Sequence, residues 1–156
     1  MKTIKILFVC HGNICRSPMA EFILKKMVSD KGLSECFEIS SAATSTEEIG
    51  NSVYPPVRKV LAEHGLSCKG KTARQITKKD YYYYDYIIGM EQYNIRNMRY
   101  IFPVDDDNKI HLMLDFTDNP RDVSDPWYSG RYEESWNDIN TGCKAFLENL
   151  IIKYNL

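Results

Sequence analysis

The sequence predicts an α/β fold in which a parallel sheet is covered on both faces by helices. Three observations carry this. Strand-length apolar runs alternate with helix-length patterns, the carboxyl-terminal segment keeps a strict helical rhythm, and no linker, repeat or low-complexity tract divides the 156 residues. Such alternation requires crossover connections, which lay helices on the sheet faces between parallel strands. A chain of this length is expected to form one domain, residues 1–156, with enough apolar material for a core.

Taken in order, Ile4 to Val9 (IKILFV) is a short buried-strand candidate, and Met19 to Val28 repeats apolar residues at helical spacing. Phe37 to Ser41 reads as a second strand. Val57 to Leu61 lies in a helix that starts after Pro55-Pro56 and stops at Gly65, a residue suited to the position past a helix end. Tyr86 to Met90 (YIIGM) reads as a third strand, followed by a helix to about Phe102, and Ile110 to Leu114 as a fourth strand. In the last helix Trp136, Ile139, Cys143, Phe146, Leu147, Leu150 and Ile151 recur at i, i+3, i+4. Crossovers are expected to be right-handed, with ligands outside the carboxyl ends of the strands.

Composition narrows the function. With 20 basic and 21 acidic residues the formal charge is -1, so no overall field draws nucleic acid or an anionic membrane. No run approaches the roughly 20 apolar residues of a membrane helix. The start, MKTIKILFVC, enters a strand-like run with no cleavage pattern. Five cysteines, an odd number without paired spacing, fit a reduced, cytoplasmic chain.

The chemistry concentrates in "FVCHGNICRSPMAEFILKKM". Cys10 ends the first strand, five residues follow, and Arg16 stands where a helix begins. Ser17 reads as the N-cap and Pro18 as the first helical residue, where its missing N–H is harmless. Gly12 and Asn13 tolerate left-handed backbone angles, which lets successive N–H groups of the loop His11, Gly12, Asn13, Ile14, Cys15, Arg16 and Ser17 turn inward as an anion nest. The helix dipole adds positive potential there. A thiol beside such amides and a cation ionises more readily. Arg16 is suited to grip two oxygens of a phosphoryl group. The loop therefore reads as an oxyanion site whose cysteine attacks the guest. A zinc site from Cys10, His11 and Cys15 matches no usual spacing, and the Gly-Lys pair of a nucleotide-binding loop is missing.

Attack on a phosphate ester expels an oxyanion, and water must later free the enzyme. One carboxyl group can protonate the first and deprotonate the second. Asp125 in "VSDPWYSG" is the candidate: it sits in a loop after the last strand, stiffened by Pro126, with Trp127 and Tyr128 as an aromatic wall.

Together, "VCHGNICRSPMAE" and "DPWY" resemble the low-molecular-weight protein tyrosine phosphatases, as do "SSAATSTEEIGN" and "HGL…ARQITKKDYYYYDYII". The resemblance implies a three-layer flavodoxin/Rossmann-like fold with a four-stranded parallel sheet (phosphotyrosine protein phosphatase I-like) and a phosphocysteine mechanism with no metal and no cofactor. Carried onto matching positions, it implies Cys10 as nucleophile, Arg16 as phosphate binder and Asp125 as general acid, then base. Asn13 is implied to hold the loop's turn, with Ser17 and Ser41 in support, and Cys15 to be a redox partner for Cys10. The implied partners are a phosphotyrosine protein or peptide and oxyanions such as inorganic phosphate. Neither nucleic acid nor membrane is among them, and the chain is expected to be a monomer or weak dimer. Three departures bear on substrate preference. Glu47 stands where members often carry an aromatic at the substrate wall, Lys71 replaces the histidine before "ARQ", and His11 sits where some have Leu. Glu47 is expected to disfavour acidic peptides and to tolerate basic ones.

Three other functions compete. A protein arginine phosphatase on this fold places Thr where this chain has Ile14, which lacks the hydroxyl that orients a water. An arsenate reductase needs a further close cysteine pair, whereas Cys36, Cys68 and Cys143 are isolated. An idle phosphate-binding module has no need of both Cys10 and Asp125. Elsewhere, Tyr81 to Tyr84 with Tyr86 are expected to flank the third strand, half buried. Asp105 to Asp107 read as a solvated turn, and Lys69, Lys71 and Arg74 as a solvated basic face.

Overall fold

Alternate residues of the first strand face opposite sides of the sheet, and that alternation sets the layers. The computed structural model describes residues 2–156. Strand β1 (Ile4–Cys10) sends Ile6, Phe8 and Cys10 into one apolar cluster and Leu7 and Val9 into another. The first cluster is roofed by α1 (Arg16–Asp30), α2 (Pro55–Glu63) and α6 (Tyr132–Tyr154), the second by α3 (Lys78–Tyr83) and α4 (Gln92–Met98). The remaining elements are β2 (Phe37–Ala43), β3 (Tyr86–Gly89), β4 (Ile110–Leu112) and the short α5 (Pro126–Ser129). All strand pairs are parallel, in the order β2-β1-β3-β4, as expected from the alternation. The chain leaves β1 toward β2 on one side and returns to β3 on the other. The carboxyl end of β1 is therefore the switch point where such sheets open a crevice. Cys10 lies there, paired in register with Ala43 of β2.

The anticipated strands are present with shifted ends. Strand β4 stops at Leu112, two residues short of the expected span, because Asp115 turns the chain: its carboxylate accepts the Leu112 N–H at 2.9 Å. Helix α2 takes Pro55 and Pro56 into its first turn and ends before Gly65, which has φ +77°. The tyrosine run makes α3, a helix the sequence reading lacked, closed by a capping box between Thr77 and Asp80. Tyr81 and Tyr84 are buried under the sheet, while Tyr82 is 80% exposed. Helix α6 buries Ile139, Cys143, Phe146, Leu147 and Leu150. At Gly142 it passes so close to the strand β4 exit that a Cβ would stand 2.7 Å from the Met113 carbonyl oxygen. Each fully buried large side chain in these clusters contributes about 1.5–3 kcal/mol.

Asp105 is not merely a solvated turn residue. It accepts hydrogen bonds from the Tyr81 hydroxyl (2.6 Å) and the N–H groups of Lys109 (2.8 Å) and Ile110 (3.2 Å), and so ties α3 to the entry of β4. Among the described residues, no helix is long and apolar enough to cross a membrane.

Candidate active site

The β1–α1 connection is held by side chains more than by helix capping. Helix α1 begins at Arg16, so Ser17 and Pro18 are its second and third residues and not N-cap and first residue as their types suggested. Pro18 remains harmless, since the first four N–H groups of a helix have no partner within it. Ser17 is thereby released for another role: its hydroxyl lies 3.0 Å and its N–H 3.4 Å from the Cys10 sulfur. The turn itself rests on Asn13, with φ +59°. Gly12 does not take a positive φ. Its missing side chain makes room for Glu48, whose Cγ would lie 3.3 Å from a Cβ placed there.

Asn13 is almost fully buried and uses both ends of its amide. The NH2 group donates to Ser17 Oγ at 2.8 Å and to Ser41 Oγ at 3.0 Å, and Oδ1 accepts the Arg74 N–H at 3.2 Å. Because Ser17 Oγ already accepts from Asn13, its own proton is free to point at the sulfur. The Ser41 hydroxyl donates to Glu21 Oε1 at 2.6 Å. Lys71 donates to the Ser41 carbonyl at 2.9 Å and stands 3.4 Å from Glu21 Oε1. Burial pushes the Lys71 pKa down, with Glu21 opposing. The three cations read as one solvated face therefore part company: Lys69 is exposed, Lys71 points inward, and Arg74 forms a fork on Asp80 at 2.9 and 3.1 Å. Buried networks of this kind rigidify a loop when every member is satisfied.

Arg16 is 2% exposed and is clamped from a distant part of the chain. Nη1 donates to Glu91 Oε2 at 2.6 Å and to the Val123 carbonyl at 2.7 Å, while Nη2 lies 3.4 Å from Asp125 Oδ2. Burial works against its charge, but Cys10, Asp125 and Glu91 outweigh that and push its pKa up. Glu91 was missed in the sequence. It is the N-cap of α4, two residues beyond the end of β3, and the strand-end rule that singled out Cys10 points there as well.

Asp125 ends the loop that follows β4, as expected, and is the N-cap of α5, where it accepts the Trp127 N–H at 3.0 Å. It shares a cavity of about 470 Å³ with Cys10, Arg16 and Glu91, walled by Tyr93, Trp127 and Tyr128. Trp127 leans on Tyr54, ring centroids 4.8 Å apart, and Tyr128 is 87% exposed. His11, Ile14, Cys15, Glu47 and Glu48 line the same cavity. Glu47 accepts from His11 Nε2 at 2.8 Å. Cys15 is buried, and its thiol is pushed up to about 12, first by burial and then by the charges of Cys10 and Asp125. A sulfur, a guanidinium and a carboxyl group thus converge on one aromatic-walled crevice, an arrangement competent for displacement at a tetrahedral oxyanion.

The profile of the family described as low molecular weight phosphotyrosine protein phosphatase matches residues 5–155. The low molecular weight protein-tyrosine-phosphatase YfkJ of Bacillus subtilis is 38% identical over 149 residues, 94% of this chain and 96% of that one. The low molecular weight phosphotyrosine protein phosphatase of Gallus gallus is 37% identical over 148 residues, 92% and 93% of the two chains. The crystal structure of YfkJ from Bacillus subtilis superposes with a TM-score of 0.94 at 37% identity, covering 100% of this chain and 99% of that one. Sequence and architecture agree along nearly the full length, and the chain belongs to the low molecular weight phosphotyrosine protein phosphatase family.

Proposed function

We propose that this enzyme hydrolyses phosphotyrosine monoesters by way of a phosphocysteine on Cys10. The observation that carries the reading is the convergence of three groups in one cavity. The Cys10 sulfur is held by Ser17, Arg16 is fixed by Glu91 and Val123, and Asp125 lies 3.4 Å from Arg16. In the first step the Cys10 thiolate attacks phosphorus, the S–P bond forms and the ester P–O bond breaks. The departing phenoxide takes the proton of Asp125 in its acid form. In the second step the Asp125 carboxylate takes a proton from water, whose oxygen attacks phosphorus. The S–P bond breaks, releasing inorganic phosphate and restoring the thiolate.

Arg16 and the N–H groups of the His11 to Ser17 loop, expected from its sequence to turn inward, carry the charge that spreads over the phosphoryl oxygens, where positioned donors are worth most. The Ser17 hydroxyl, aimed by Asn13, stabilises the sulfur as it leaves. Ser41 supports Asn13 in turn. Trp127, Tyr128 and Tyr93 flank the leaving ring. Cys15 is the neighbour available for a reversible disulfide with Cys10. Its raised pKa keeps it a thiol, so a peroxide oxidises the Cys10 thiolate first, to a sulfenic acid with loss of the peroxide's other oxygen as water. The Cys15 sulfur then displaces hydroxide from it, giving the disulfide and a second water.

The test is a leaving-group series of aryl phosphates in the presence of a chelator, with Asp125→Ala beside the unaltered enzyme. Turnover persists with chelator present. The variant slows by about 10²–10⁴ on poor leaving groups and far less on p-nitrophenyl phosphate, because a good leaving group needs little protonation. Equal slowing across the series removes Asp125 from the acid role. Phosphotyrosine, phosphoserine and phosphoarginine peptides, compared side by side, test the substrate class: only the first is turned over rapidly.

A further inference from the structure

The charges around the cavity do not cancel, and the excess has an address. Four carboxylates line the crevice: Glu47, Glu48, Glu91 and Asp125. Glu91 and Asp125 both face Arg16, at 2.6 and 3.4 Å. Glu47 is hydrogen-bonded to His11 Nε2 at 2.8 Å, a contact that balances its charge only when the ring is protonated. Glu48 has a partner that never carries charge, the Asn51 side-chain amide, which donates to its Oε2 at 2.6 Å. Among the described residues no Lys, Arg or His lies within ion-pair distance of it.

Glu48 is also held in place. Its stem lies against Gly12 of the phosphate loop, whose Cβ, if it had one, would stand 3.3 Å from Glu48 Cγ and 3.9 Å from its Cβ. Its charge is felt in the crevice, where it contributes to raising the Cys15 thiol. A fixed, uncompensated carboxylate beside a loop for dianions works against any substrate that brings only negative charge.

We propose that Glu48 is a specificity-determining residue that selects phosphotyrosine peptides carrying a Lys or Arg next to the phosphotyrosine. This rests on the phosphotyrosine reading above and sharpens it. The cation neutralises Glu48 at the lip while the phosphoryl group fills the nest below. Glu47, the acidic residue the sequence singled out, is the lesser determinant because its carboxylate is already engaged by His11 Nε2 at 2.8 Å and it is the more exposed of the two.

The experiment measures kcat and KM on three phosphotyrosine peptides of equal length, with Lys, Ala or Glu on both sides of the phosphotyrosine. The enzyme is compared with its Glu48→Gln and Glu47→Gln variants at low and high salt. The expected order for the unaltered enzyme is Lys over Ala over Glu, each step about 2- to 5-fold in kcat/KM and lying mainly in KM. Glu48→Gln compresses the whole range to within about 2-fold, lowering kcat/KM for the Lys peptide while raising it for the Glu peptide. Loss of mere structural support does not produce that opposite pair of changes. Glu47→Gln compresses the range less, and high salt shrinks it in the unaltered enzyme. The same order at full size in Glu48→Gln, or a preference for the Glu peptide in the unaltered enzyme, overturns the assignment. If p-nitrophenyl phosphate is hydrolysed and none of the peptides is, the phosphotyrosine reading itself has failed. If all three peptides are hydrolysed at equal efficiency, that reading stands and the role of Glu48 falls.

Discussion

Asn13→Ala removes three hydrogen bonds from a site with almost no solvent: those to Ser17 Oγ at 2.8 Å, to Ser41 Oγ at 3.0 Å, and from the Arg74 N–H at 3.2 Å. At a net of about 0.5–1.5 kcal/mol each, these sum to about 2–4 kcal/mol. The Arg74 N–H loses its acceptor outright, which places the effect in the upper part of that range. A further cost of about 1 kcal/mol comes from holding Ala at φ +59°, a region that Asn tolerates and Ala does not. Asn13→Gly separates the two contributions, since it loses the same hydrogen bonds without that backbone penalty. Urea unfolding with linear extrapolation is the assay. The expected losses are about 3–5 kcal/mol for Ala and about 1 kcal/mol less for Gly, a large share of a typical stability. With Asn13 gone, nothing aims the Ser17 proton at Cys10, so kcat on p-nitrophenyl phosphate falls by about tenfold or more in both variants. If both variants unfold within about 0.5 kcal/mol of the unaltered protein, or if Gly is no better than Ala, the reasoning about this turn is wrong.

Two further perturbations probe other parts of the structure. Glu91→Gln weakens the charged clamp on Arg16 without emptying it, since the Val123 carbonyl still accepts at 2.7 Å; KM and the inhibition constant for inorganic phosphate both rise about 5- to 30-fold, read by steady-state kinetics. Asp105→Asn removes a carboxylate whose pKa lies below the ordinary range, because hydrogen bonds from Tyr81, Lys109 and Ile110 outweigh the opposing effect of burial. The lowered folded-state value means that ionised Asp105 adds stability above its unfolded pKa and loses it as pH falls through the folded one. The variant is therefore less stable by about 1 kcal/mol at neutral pH, and its midpoint in urea declines less steeply below about pH 4.

What was legible in the sequence had short-range causes. The strand-length run at Ile4 to Val9 and the period of α6 are local patterns, and both survive in the structure with only their ends moved. The six-residue helix α3 was hidden because four tyrosines resemble strand material, although Thr77 and Asp80 spell the capping pattern that starts it. Ser17-Pro18 has the look of a helix start, yet the helix begins at Arg16. That residue is pinned by Glu91 and Val123, 75 and 107 residues further on, and no local window contains them. Lys71 passed for a surface cation for the same reason: its partner Ser41 lies 30 residues away. Cys10, Arg16 and Asp125, the proposed nucleophile, phosphate binder and acid, were legible because strand ends, turn residues and an Asp-Pro step announce themselves. Glu91 and Glu48 act through what the fold sets beside them.

The most direct measurement of the central claim is rapid-quench mass spectrometry of the enzyme during turnover of p-nitrophenyl phosphate, using Asp125→Ala to slow release of the phosphoryl group. A phosphoryl adduct on the Cys10 peptide, formed at the rate of the nitrophenol burst and absent from Cys10→Ser, is the predicted result. Unimpaired turnover with no adduct, or an adduct mapped to any other residue, contradicts it.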